Sequence, residues 1–128
     1  MDRSFAEEMY KEHILDLYKH PHNFGVIDNP THKHVGHNPL CGDEITMQLI
    51  IKNEVVEDVK FNGKGCAIHM AAASLLTDEI KGKKVEEVKK MSSQDMLNML
   101  MIPISPGRLK CALLSYESLQ NSFKDNNK

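Results

Sequence analysis

Two alternating stretches set back to back constrain this chain more than any other feature. Ile45, Met47, Leu49 and Ile51 fall at every second position, with Thr46, Gln48 and Ile50 between them. Side chains alternate between the faces of a strand, so this is a strand with one strongly apolar side. Asn53-Glu54 makes a turn, and Val55 to Phe61 reads as a second strand, with Val55, Val59 and Phe61 inward and Asp58 and Lys60 outward. Strands joined this tightly form an antiparallel hairpin. Its apolar face must be covered by other elements.

Helices supply the cover. Ser4-Phe5-Ala6-Glu7 has the form of a capping box, and Phe5, Met9, Ile14, Leu17 and Tyr18 follow at helical spacing. That helix should stop before His20-Pro21, because the residue before proline avoids helical angles. His22 to Asn38 reads mostly as loop with room for a short strand. Ala67 to Ile80 is rich in Ala, Leu and Met and reads as a helix, with Gly63 and Gly65 ending the strand before it and Gly82 marking its stop. Val85 to Met91 is a short helical piece, Ser92 caps another over 94–100, and 102–107 is a loop. Leu109, Leu113, Tyr116, Leu119 and Phe123 form an apolar stripe on a last helix. The expected fold is α+β: an antiparallel sheet of about three strands packed against helices, with a metal site at one end.

Composition narrows the class. The 128 residues predict one domain over 1–128, frayed at 1–3 and 124–128. A net charge of −2 gives no case for nucleic acid or an anionic membrane as partner. No apolar run is long enough to span a bilayer, and the polar opening Met1-Asp2-Arg3-Ser4 does not resemble a signal peptide. An odd count of three cysteines argues against a disulfide framework and for a reducing cytoplasm.

Those cysteines stand in unlike contexts: Cys41 in Asn38-Pro39-Leu40-Cys41-Gly42-Asp43, Cys66 in Gly63-Lys64-Gly65-Cys66-Ala67, and Cys111 in Arg108-Leu109-Lys110-Cys111-Ala112. Cys66 falls where a strand gives way to a helix, and Cys111 in the first turn of the last helix. Free amides there carry partial positive charge and favour a nearby anion. Gly42, Gly63 and Gly65 let the backbone turn and approach closely. Three sulfurs and the Asp43 carboxylate make a four-coordinate set for zinc or for iron in a cluster. Against this, a lone cysteine is most often a small buried hydrophobe, and the spacing matches no zinc finger.

The segments around Cys41 and Cys66, with Ile14 to Gly25 and Arg108 to Ala112, resemble the U-type scaffold family of iron–sulfur cluster assembly: IscU, SufU and the amino-terminal domain of NifU. The resemblance implies a carrier rather than an enzyme. It would take sulfur from a cysteine desulfurase, hold a labile [2Fe–2S] cluster and hand it to apo-proteins. Cys41, Asp43, Cys66 and Cys111 would be the ligands, with Cys111 as persulfide acceptor. Asp43 would keep the cluster loose, since a carboxylate is a harder and weaker partner than a thiolate. Lys110 stands where the scaffold branch has histidine, and Arg108-Leu109-Lys110-Cys111-Ala112 is similar to the SufU branch, which implies zinc and sulfurtransferase activity as the alternative. Ile104-Ser105-Pro106-Gly107-Arg108 departs from the scaffold branch's chaperone-recognition element, so a dedicated Hsp70 partner is not expected. Other features read plainly: His32, His34 and His37 as a solvated loop, His69 as a helix residue near the site, and Met91, Met96, Met99 and Met101 as core filling.

Overall fold

The computed structural model describes residues 3–39 and 42–125, with side chains from Tyr10 through Lys124 apart from Leu40 and Cys41. Three strands, β1 (His32–Asn38), β2 (Asp43–Lys52) and β3 (Val55–Lys64), form an antiparallel sheet in that order. The β2–β3 turn is tight because Asn53 and Glu54 both take positive φ, 53° and 63°. Such a turn matches the right-handed twist of the strands it joins. The register shifts between Ile50 and Ile51, which pair with Asp58 and Val56, so Glu57 is an extra residue on β3. This bulge corrects one expectation: Val56, not Val55, is buried with Val59 and Phe61, because the bulge changes the phase of alternation. β3 also runs one residue past Gly63, to Lys64.

β1 replaces most of the expected loop before Cys41. Its sequence, His32-Lys33-His34-Val35-Gly36-His37-Asn38, lacks an apolar alternation, but its burial alternates all the same. The strand is held by pairing to β2 and by helix α5 (Leu109–Asp125) on its inner face. The histidines therefore lie on a strand and not in a solvated loop. His32 and His34 are partly covered on one face, while His37 is exposed on the other.

Helix α2 (Ala67–Ile80) and α5 cover the sheet's inner face. α1 (Arg3–Lys19) packs on α2 through the buried Ile14 and Leu17. It is already helical at Arg3, one residue ahead of the expected cap at Ser4, and the side chains of Ser4, Phe5, Glu7 and Met9 lie outside the described residues. α3 (Val85–Lys89) is short, and α4 (Ser93–Leu100) packs on α2 and α5. Ser92 caps α4 in a capping box with Asp95. A single 3₁₀ turn, Pro106–Arg108, leads into α5. α5 is helical through Asp125. Its buried positions are Cys111, Ala112, Leu114, Ser115, Ser118, Leu119 and Ser122; of the expected stripe Leu119 is fully buried, Leu113, Tyr116 and Phe123 pack half-buried against the core, and Leu109 is half-buried. Small residues let the helix lie close to β1, where a Cβ on Gly36 would collide with the Ser118 hydroxyl.

The segment after α1 ties helix and sheet together. Phe61 N–H donates to the Asn23 carbonyl at 3.0 Å and Gly25 N–H to the Phe61 carbonyl at 2.9 Å. Asn23 Nδ2 donates to Thr77 Oγ1 and Asp78 Oδ1 of α2, and His22 Nδ1 lies 2.6 Å from Asp78 Oδ2. The other end of β3 is covered by Gly82 to Val85, whose backbone pairs with Glu54 and Val56.

Two glycines test this arrangement. Gly63 has φ +136°, and a Cβ there would strike the backbone of Glu44 and Ile45. Gly107 opens on empty space. Gly63→Ala should lower stability by at least ~2 kcal/mol in denaturant unfolding, whereas Gly107→Ala should stay within about 0.5 kcal/mol of wild type.

Candidate metal centre

Three elements meet at one end of the sheet. Asp43 is the first residue of β2, Cys66 is the N-cap of α2, and Cys111 lies in the first turn of α5. One ligand atom from each, a carboxylate oxygen and two sulfurs, lies within 4.8 Å of the other two. No other group of three such residues comes this close among the described residues. Cys41, the remaining member of the expected set, lies outside the described residues; Asn38 and Gly42 on either side of it are linked by Gly42 N–H donating to the Asn38 carbonyl at 2.9 Å.

The sequence dictates each position locally. Pairing of Glu44 with Lys64 brings the start of β2 level with the end of β3. The chain leaves Lys64 through Gly65 and enters α2 at Cys66, whose extended backbone (φ −71°, ψ 170°) suits an N-cap. The Cys66 side chain makes no capping hydrogen bond, so the thiol is not spent on the helix. The Cys66 N–H instead donates to Asp43 Oδ1 at 3.2 Å, across 23 positions of sequence. Gly65 makes this approach feasible, since a Cβ there would sit 2.7 Å from Asp43 Oδ1 and would also strike the His69 ring.

Burial grades the set. Asp43 is 2 % exposed and Cys111 3 %, while Cys66 is half-buried and the most accessible of the three. Ligands about 2.3 Å from a tetrahedral zinc stand roughly 3.8 Å apart, so atoms within 4.8 Å need only small side-chain rotations to grip one ion. Two thiols and one carboxylate, with a thiol two residues before Asp43 in sequence, suit zinc or iron–sulfur and suit magnesium or calcium poorly.

His69 is placed near the site and outside the ligand group. It is fully buried, and Nε2–H donates to the Glu44 carbonyl at 3.1 Å. Sequence reasoning gave the residue its neighbourhood but not this burial or this bond; the sole signal was its place one turn after Cys66. Met96 is buried and Met91 and Met99 are packed against the core, as expected of gap-filling residues, whereas Met101 is 60 % exposed. Its left-handed φ of 59° ends α4 and turns its side chain from the core.

Fold and site together define the class: an α+β domain with a thiol–carboxylate cluster at one end of a three-stranded sheet. The NifU-like N terminal domain family matches residues 9–128, and the chain belongs to it. It is 37 % identical to the iron–sulfur cluster assembly scaffold protein IscU of Thermotoga maritima, over 91 % of this chain and 93 % of that protein. It is 35 % identical to the zinc-dependent sulfurtransferase SufU of Bacillus subtilis, over 89 % of this chain and 88 % of that protein. The fold superposes on FiSufU of Fervidobacterium islandicum with a TM-score of 0.76 at 28 % identity, covering 91 % and 98 % of the two chains. A NifU-like protein from Brucella abortus gives 0.77 at 20 % identity, a likeness of fold.

Burial lowers the His69 pKa from its ordinary 6.5, against the opposing pull of the Glu44 hydrogen bond and the Asp43 charge. His32 is lowered too, by burial and by Lys89. Both groups bind a proton more readily unfolded than folded. Stability of the metal-free protein should therefore be level above pH ~6.5 and fall as pH drops below it. Denaturant unfolding across pH 4.5–8 checks this, and His69→Gln should flatten part of the slope.

Proposed function

We propose that the protein is a scaffold for iron–sulfur cluster assembly, which accepts sulfur from a cysteine desulfurase, carries a labile [2Fe–2S] cluster as cargo and passes it to apo-proteins. One observation carries the reading: Cys66, Cys111 and Asp43 converge within 4.8 Å at a joint of three firm elements, in a chain of the NifU-like family. Cys41, two residues before Asp43, completes the set in this reading.

Each residue has a distinct part. Cys66 and Cys111 present soft sulfur donors, and the half-buried Cys66 faces incoming iron more openly. Asp43 supplies one harder oxygen, which holds iron–sulfur less firmly and lets the cargo leave. Cys111 is the sulfur acceptor: its thiolate attacks the outer sulfur of the donor's persulfide, the donor's S–S bond breaks, and the donor departs as a thiolate. At 3 % exposure, Cys111 can do this only when docking of the donor uncovers it. The thiols stay available in a reducing compartment such as the cytoplasm.

A second reading has its own support. The Arg108-Leu109-Lys110-Cys111-Ala112 segment is similar to the SufU branch, and the Bacillus subtilis relative is a zinc-dependent sulfurtransferase. Zinc would be held by Cys41, Asp43, Cys66 and Cys111, and when bound would keep the thiols deprotonated.

Anaerobic addition of ferrous iron and sulfide should give visible absorption for about one cluster per monomer or dimer. Cys66→Ser and Cys111→Ser should each abolish it. A colourless protein at every ratio, purified with one tightly held zinc and able to stimulate a desulfurase, would decide for the second reading. With a cluster formed, Asp43→Cys should slow its transfer to an apo-ferredoxin by about tenfold, since a thiolate grips more firmly than a carboxylate.

A further inference from the structure

His69 occupies a place that a helix residue seldom needs a histidine to fill. It is fully buried, in the first turn of α2, and touches no solvent. Its Nε2–H bond to the Glu44 carbonyl fixes the tautomer and leaves Nδ1 as a lone pair without a hydrogen-bond partner among the described residues. Leaving a buried polar atom unsatisfied costs about 1–3 kcal/mol, which an apolar residue of similar size would not incur. The ring therefore contributes through the contacts it does make.

Those contacts converge on Asp43. Glu44 is the next residue after it. The ring edge and the Asp43 carboxylate both lie against the space that Gly65 leaves by lacking a side chain, for a Cβ there would meet His69 Cδ2 and also Asp43 Oδ1 and Cγ. Two hydrogen bonds thus cross from the N-terminal end of α2, its N-cap and first turn, to the first two residues of β2. One runs from Cys66 N–H to Asp43 Oδ1 at 3.2 Å, the other from His69 Nε2–H to the Glu44 carbonyl at 3.1 Å. The first holds the Asp43 carboxylate itself. The second, one residue along β2 and three along α2, ties the backbone beside Asp43 to the same end of the helix.

We propose that His69 is a positioning residue of the metal centre: by clamping Glu44 and walling the space at Gly65, it fixes where Asp43 presents its oxygen to the thiols. It is not itself a ligand, for its nitrogens fall outside the group that converges. The inference rests on the site being metal-binding, as read above. It adds that the weakest and hardest ligand, the one that sets how readily cargo leaves, is held by a residue outside the ligand set. Removing a group that orients a metal ligand typically lowers affinity 10–100-fold.

Cobalt(II) is the probe, read by its thiolate charge-transfer and tetrahedral ligand-field bands and by competition with a chelator. His69→Leu keeps most of the volume and loses the donor; Co²⁺ affinity should fall by about tenfold or more, with a shift of the ligand-field bands. His69→Gln places an amide nitrogen about as far out as Nε2 and should restore binding to within roughly threefold of wild type. The deciding measurement is a double-mutant cycle with Asp43→Ala. If His69 acts through Asp43, then His69→Leu costs nothing further once Asp43 is gone. Equal losses in both backgrounds, or unchanged binding by His69→Leu alone, overturn the inference and leave the metal site standing. Wild-type protein that takes up no Co²⁺ overturns the metal-site reading, and this inference with it.

Discussion

The hydrogen bond from the Cys66 amide to the Asp43 carboxylate is the contact on which the functional end of this protein depends. Its net contribution to stability is modest, about 1 kcal/mol for a hydrogen bond of ordinary strength. Its geometric role is larger. It joins the first residue of β2 to the N-cap of α2 across 23 positions of sequence. The β2–β3 register decides that these residues meet at all, because Glu44 opposite Lys64 leaves Gly65 and Cys66 next in line beside Asp43. A slip of one residue would turn Asp43 to the other face. The same register buries Ile45, Met47 and Leu49, so the core and the centre are specified by one pairing.

The third donor arrives by a different route. Cys111 belongs to α5, which lies along β1 and β2 and packs on α2. Serines and alanine on its buried face keep it close, at the cost of apolar area that larger side chains would have contributed. The sulfur is thus held by a rigid helix seated on a rigid sheet, while the thiol of Cys66 projects from a turn. In the scaffold reading, a centre that binds and releases cargo would gain from this division: frame residues are fully buried, and the more accessible thiol sits at the rim.

Much of this was legible in the residues. The hairpin, the limits of α2, the capped α4 and the placing of Cys66 and Cys111 at helix starts all follow from local rules that tertiary packing did not override. β1 was only half legible, because His32-Lys33-His34-Val35-Gly36-His37-Asn38 lacks the apolar alternation that marks a strand; its neighbours impose the extended form. The inward face of α5 was only partly legible for a related reason: its apolar stripe packs on the core, but the buried serines beside it do not show. Ser115, Ser118 and Ser122 are polar by composition but buried by contact, and nothing in a hydrophobic pattern marks them. The phase error at Val55 came from the bulge at Glu57, which local propensity does not announce. His69 looked like a bystander because its partner, the Glu44 carbonyl, is a backbone atom far away in sequence.

The position of β1 has one more consequence. β3 is shielded on its outer side by Asn23 to Gly25 and by Gly82 to Val85, but among the described residues no segment pairs with the far side of β1. An unpaired strand edge invites a second chain to add itself, and a carrier that spends part of its cycle empty would be exposed to that hazard. Here the margin bears Lys33 and a histidine at three of its seven positions, side chains that resist close stacking against a like neighbour. The composition that hides this strand from a hydrophobic reading thus also leaves Val35 as the one large apolar side chain its margin offers a second strand.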